Sequence, residues 1–180
     1  MKRIPIGVAV IFAVLLILFG VVFGTVRGLT DERKKVESLL TRDGGLYDLL
    51  FDRGADGVNL CKVARRHLIQ NDESILSLER YAEILMSEET ELEEKKQAND
   101  MLEPAFETVR DKVSATQTCM ASQRDKNYLE MLHKDLLAIS AAEAVQAYNR
   151  AAESFNDQLK KPFSGYLAGL FQIKACKLFM

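Results

Sequence analysis

The chain has 180 residues, material for one domain or at most two. Its 24 basic and 26 acidic residues leave a formal net charge of -2, which excludes a strongly basic nucleic-acid binder held by phosphate attraction. Hydrophobic content of 48% excludes a disordered chain, three widely spaced cysteines exclude a disulfide framework, and only three prolines and ten glycines favour helices over sheet.

Ile4 to Val26 carries no charged residue. As a helix this run spans roughly 34 Å, enough to cross a hydrocarbon core about 30 Å thick. Lys2 and Arg3 precede it and Arg27 follows it. A cleaved signal peptide is the competing reading. Its apolar part usually covers only about 7–15 residues, and Val22-Phe23-Gly24 is a weak cleavage site. Residues 1–26 are therefore read as a retained anchor in the lipid bilayer. No cysteine stands near residue 24 to accept a lipid. Two signals compete over orientation. Arg27, Arg33, Lys34, Lys35 and Arg42 favour the C-terminal side inside, whereas the acid-free Met-Lys-Arg start is that of a signal-anchor with the bulk translocated. The expectation leans to a domain outside the cytoplasm. Gly20, Gly24 and Gly28 stand four apart. Such a ridge lets a second copy of the chain approach closely; the plain alternative is that glycine is frequent in membrane helices.

Beyond Lys2 and Arg3, 22 basic residues stand against 26 acidic ones, which suits a soluble domain. Residues 27–161 read as a helical bundle. Thr30-Asp31-Glu32 predicts a helix start, a hydroxyl followed by acids at the positive end of the dipole. Gly44-Gly45 weakens or kinks that helix, and Gly54-Ala55-Asp56-Gly57 predicts the first turn. A second helix is expected from Asn59 to Ser87, with Leu60, Ala64, His67, Asn71, Ile75, Leu78, Ala82 and Leu85 on one face; Asn71-Asp72 is a potential interruption, but the period carries through it. Glu88 to Lys96 reads as a solvated charged connection. A third helix places Leu102, Phe106, Val109, Val113, Thr116 and Met120 in one stripe, with Pro104 tolerable only near its first turn. Ala121 to Asn127 reads as a polar turn. A long fourth helix runs to Lys160, with a stripe from Leu129 to Leu159, and Pro162 ends it.

No strand alternation is present. The expected fold is all-α: an N-terminal transmembrane helix followed by an antiparallel up-and-down four-helix bundle. Parity returns the fourth helix toward the membrane. The tail, residues 162–180, then lies near the bilayer, and Phe163, Tyr166, Leu167, Leu170 and Phe171, mixed with lysines, suit an interface or a partner. A tail that folds back and covers the end of the bundle is the competing reading, and the favoured one.

The chemistry-bearing residues are sparse. Glu130-Met131-Leu132-His133 has the spacing of one half of a carboxylate-bridged metal site, but Ala64 stands where the second half would need an acid before His67. His133 falls off the apolar stripe and reads as solvated, while His67 reads as a hydrogen-bonded core histidine. Cys61 and Cys119 read as buried or half-buried small residues, and Cys176 as the better candidate for a reactive thiol. No phosphate-binding loop or nucleophile elbow is present. No residue is assigned to catalysis, a cofactor or a metal, and no nucleic-acid partner is expected.

The C-terminal third carries a more specific pattern. Ala147-Tyr148-Asn149, Phe155-Asn156, Pro162, then Ala168-Gly169-Leu170-Phe171 and Lys174 resembles the end of LemA-family proteins. Arg53-Gly54-Ala55-Asp56-Gly57-Val58-Asn59-Leu60 and Lys126-Asn127-Tyr128-Leu129 are similar to further family segments. The chain departs where the family has a Pro-Asn step, where Gly44 replaces a Trp, and where Ala138-Ile139-Ser140 replaces Glu-Asn-Arg. The resemblance implies a divergent, bacterial, membrane-anchored four-helix bundle without catalytic residues. It points to a scaffold or adaptor at the cytoplasmic membrane, working with a membrane-protein partner. The alternative is a single-pass sensor binding a small ligand between helices.

Overall fold

The computed structural model describes residues 6–139 and 141–179. Lys2, Arg3 and Ile4, which bear on the anchor, and Ser140, part of the LemA comparison, lie outside the described residues. The helices are α1 (Ile6–Thr41), α2 (Leu46–His67), α3 (Glu73–Met86), α4 (Leu92–Ser114), α5 (Gln117–Ala121), α6 (Gln123–Ala138), α7 (Ala142–Leu159) and α8 (Pro162–Leu170). No strand occurs among the described residues, so the all-α expectation holds. The chain forms two compact units, Met1–Ser38 with Arg150–Lys177, and Leu39–Asn149 with Leu178–Met180.

In the first unit, the apolar run and the charged stretch after it are one unbroken helix. The helix start expected at Thr30 is absent: its hydroxyl donates back to the Val26 carbonyl at 2.9 Å, inside α1. A single glycine at 28 costs a helix only about 1 kcal/mol, too little to break it here. The buried side chains of this unit are Leu29 and Val36 on α1, Ala152 and Phe155 on α7, and Leu167 and Ala168 on α8. Pro162 does not merely end a helix; it occupies the first turn of α8, where its missing N–H costs nothing. Beyond α8 the chain turns at Phe171-Gln172 and then runs without regular secondary structure. The Asn156 amide holds it at Cys176, donating to the Cys176 carbonyl at 2.9 Å and accepting from its N–H at 2.8 Å.

In the second unit, α2 packs on α3, α4 and α6, α3 packs on α4, and α5 contacts both α4 and α6. The core is built from Leu46, Leu50, Leu60 and Val63 of α2, Ile75, Leu78 and Leu85 of α3, Leu102 and Phe106 of α4, and Leu132 and Leu136 of α6. Asn149 makes the same paired contact as Asn156, here with Phe179, at 3.0 and 2.8 Å.

Several expected boundaries are corrected. The first turn is at Gly44-Gly45, not at Gly54–Gly57. Gly44 takes φ +70, a conformation that L side chains rarely adopt. Its N–H donates to Asp48 in the first turn of α2. Gly54 and Gly57 lie inside α2 because α3 crosses them closely. A Cβ at Gly54 would sit 2.8 Å from the Ala82 carbonyl oxygen and 2.8 Å from Met86 Cγ. The helix expected over Asn59–Ser87 is two, α2 and α3, separated at residues 68–72. Asp72 caps α3 by accepting from the Ser74 N–H at 2.9 Å and from the Ser74 hydroxyl. Asn71, placed on the apolar stripe by its spacing, is exposed. α4 ends at Ser114 and Thr116 caps α5, so Met120 is exposed and Cys119 buried. Pro104 sits deep inside α4 rather than near its start. The long fourth helix is likewise two, α6 and α7.

Candidate functional site

The first candidate surface is the apolar part of α1. Within it an 18-residue window has a mean hydropathy of 3.2, and none of it is buried. Among the described residues this is one helix long and apolar enough to cross a membrane. Gly20, Gly24 and Gly28 lie along α1 with open surroundings: a Cβ at any of them would meet nothing within 4 Å.

The second is α8. Phe163, Tyr166 and Leu170, spaced three and four apart, share one face and are exposed by 50%, 72% and 64%. Phe171, just past the helix, is exposed by 50%. Leu167, expected with them, points the other way and is buried beside Ala168. Lys160, Lys161 and Lys174 flank the helix on the outside. The expected tail is therefore divided: α8 presents an aromatic face, while Cys176 and Phe179 are held by their backbones.

Polar groups inside the helical units were largely missed by periodicity. His67 is enclosed as expected. Its Nε2 lies 3.1 Å from Asp125 Oδ2 and its Nδ1 2.9 Å from the Thr118 hydroxyl. Arg66 donates to the other Asp125 oxygen at 3.0 Å. The Ser122 hydroxyl, with His67 and Arg66, holds the Asp125 carboxyl below the usual range. This relay ties α2, α5 and α6 together across more than fifty residues of sequence, a separation that no local pattern reports. His133 is not simply solvated: it pairs with Glu107 at 2.7 Å across α6 and α4.

Lys95 overturns the reading of 88–96 as wholly solvated. It is buried, and its ammonium donates to the carbonyls of Leu85 at 2.7 Å, Ser87 at 2.5 Å and Ile84 at 3.3 Å, capping the C-terminal end of α3. Burial lowers its pKa. Arg53 does the same for α6, donating to the carbonyls of Leu136 and Ile139 at 3.2 and 3.0 Å. Cys61 and Cys119 are buried, and burial pushes the Cys61 thiol up to about 12. Burial also raises Cys176, which makes its thiol a weaker nucleophile at neutral pH.

Asp56 is strained electrostatically. One carboxylate oxygen is enclosed without a hydrogen-bond partner, and burial, then Asp135 and Asp52, push its pKa from 3.8 up to about 6. A carboxyl raised on folding makes the folded state bind the proton more tightly. Stability therefore falls as pH rises from about 4 to about 6, and the cost is complete above that. Carried in full, the rise from 3.8 to about 6 would correspond to about 3 kcal/mol. Asp56 is only part-buried, so solvent screening leaves about 1 kcal/mol. Asp56→Asn should raise Tm at pH 7.5 and leave it unchanged at pH 4; an equal gain at both would show that charge is not the cause.

No family model, curated protein or solved structure matches the chain. Fold and surfaces together define a helical protein with one helix long and apolar enough to cross a membrane.

Proposed function

We propose that this chain is a membrane-anchored, non-enzymatic scaffold or adaptor of LemA type, organising membrane or protein partners at the bacterial cell envelope. In this reading, the apolar part of α1 crosses the cytoplasmic membrane once. The remainder forms an up-and-down helical bundle outside the cytoplasm. The observation that carries the reading is α1 itself. Its apolar part is exposed along its length, and the same helix continues past Arg27 to residues that are buried. Water does not tolerate so much contiguous apolar surface on an isolated chain.

The exposed face of α8 supports the same reading. It belongs to the unit that contains the apolar part of α1, and aromatic rings flanked by lysines suit the membrane–water interface or a partner seated there. Asn149 and Asn156, part of the LemA-like pattern, each hold the C-terminal segment by its backbone. That gives this part of the pattern a physical reason to occur together. The sensor reading has one observation of its own, a polar cleft between α2 and α6.

A photoreactive residue at position 166 of the full-length chain, introduced in living cells, tests the proposal. It should crosslink to lipid or to one membrane protein, while the same residue at exposed position 89 does not. Labelling at position 166 no different from position 89 would sink the adaptor reading of α8.

A further inference from the structure

α2 and α6 form the walls of a cleft of about 450 Å³. Asn59, Lys62 and Arg66 line it from α2, spaced three and four apart on one face; Arg124, Asn127 and Tyr128 line it from the first turns of α6. The volume lies within the range of small-molecule sites.

Three cations converge on this cleft in a domain whose overall balance is acidic. Its one acid, Asp125, is already engaged, with one oxygen on Arg66 and the other on His67. That contact fixes the Arg66 guanidinium against the wall. Lys62 reaches only the Asn59 amide, at 3.5 Å, and neither Lys62 nor Arg124 has an acidic partner among the described residues. Two cations thus remain uncompensated beside a third that is held in place. Amide groups of Asn59 and Asn127 and the positive end of the α6 dipole add donors to the same space. The Tyr128 ring and Met131 supply apolar surface for an organic body.

We infer that the α2/α6 cleft is a binding site for a small multivalent anion bearing phosphoryl or carboxyl groups. Arg124 and Lys62 carry the ligand's charge, Arg66 is pre-oriented by Asp125, and the site is independent of the membrane proposal. It gives the second helical unit a ligand of its own, recognised by forked and point-charge donors.

The test is calorimetric titration of inorganic pyrophosphate into the full-length protein in phosphatidylcholine nanodiscs. Saturable binding that weakens with added salt is expected. Arg124→Gln and Lys62→Gln should each weaken it about tenfold, the scale of one charge-assisted hydrogen bond. Both side chains are exposed, so unchanged melting of the variants checks that the fold is intact. Lys134→Gln, an exposed cation elsewhere on α6, should change affinity less than about twofold. Citrate should compete. Phosphatidylglycerol in the nanodisc separates the sources of the anion: undiminished pyrophosphate binding assigns the cleft to a soluble ligand, and lost binding assigns it to a lipid headgroup. No saturable binding up to about 10 mM pyrophosphate, or an equal loss in Lys134→Gln, would overturn the inference.

Discussion

Gly54→Val should destabilise the α2–α4 core by about 3 kcal/mol, lowering Tm by about 10 °C. The position lies mid-helix in α2, where replacing glycine with valine ordinarily gains only about 0.3 kcal/mol of helix propensity. Here that gain is outweighed. The added Cβ would stand 2.8 Å from the Ala82 carbonyl oxygen and 3.3 Å from Leu85 Cβ. A backbone oxygen cannot rotate away, so α3 must shift as a body. Such a shift also loosens Leu78, Ala82 and Leu85, all fully or almost fully buried. Valine adds two more carbons to the same space. Gly169→Ala is the matched control, because a Cβ there meets nothing within 4 Å. Thermal melts of the three proteins decide it. If Gly54→Val melts with the parent, the close crossing of α2 and α3 is wrong.

That glycine also shows where sequence reasoning misread the chain. Gly54-Ala55-Asp56-Gly57 has the composition of a turn, yet glycine serves equally where two helices touch, and only the partner helix distinguishes the uses. The turn was ten residues earlier, at Gly44, where positive φ requires glycine. The break at 68–72 was hidden for a different reason. Leu60, Ala64 and His67 face the core from α2, and Ile75, Leu78, Ala82 and Leu85 face it from α3. The residue count across the turn happens to preserve the three-and-four rhythm. The local signal that stood against the rhythm was Asp72 before Glu73 and Ser74, an N-cap. At Thr116 and Ser122 the same kind of cap starts α5 and α6, inside segments read as helix interior or turn.

The core leucines of α3, α4 and α6, with Phe106 of α4, were legible because burial repeats every three or four residues. The polar interior was not. Lys95 stands among five nearby glutamates, Glu88, Glu89, Glu91, Glu93 and Glu94, and composition alone assigns it to solvent. Its burial follows from the tertiary position of the α3 carbonyls. The cleft lined by Lys62, Arg66 and Arg124 joins residues about sixty apart in sequence, none within a recognisable motif. The helix α8 was not read from the sequence, which took Pro162 as a stop; within the tail residues singled out, Phe163, Tyr166, Leu170 and Phe171 are exposed and Leu167 turns inward. Helical spacing alone separates it from Phe163, Tyr166 and Leu170.

The second large effect concerns α1. Leu15 and Leu18 lie near the middle of the apolar run and are exposed by 57% and 55%. A charged arginine near the centre of a membrane helix costs about 2.5–3.5 kcal/mol, so Leu15→Arg with Leu18→Arg removes about 6 kcal/mol of insertion free energy. In water the same change would increase solubility and leave the helix intact, since arginine is a good helix former. The sign of the effect therefore separates a bilayer from an aqueous setting for this segment. The deciding measurement is alkaline carbonate extraction of membranes from cells expressing the full-length chain, with intact-mass analysis of the protein recovered. The parent is expected to stay in the membrane pellet at its full mass, and the double arginine variant to be released. A parent released by carbonate, or one recovered with its mass cut near Gly24, would contradict the retained membrane anchor on which the scaffold proposal stands.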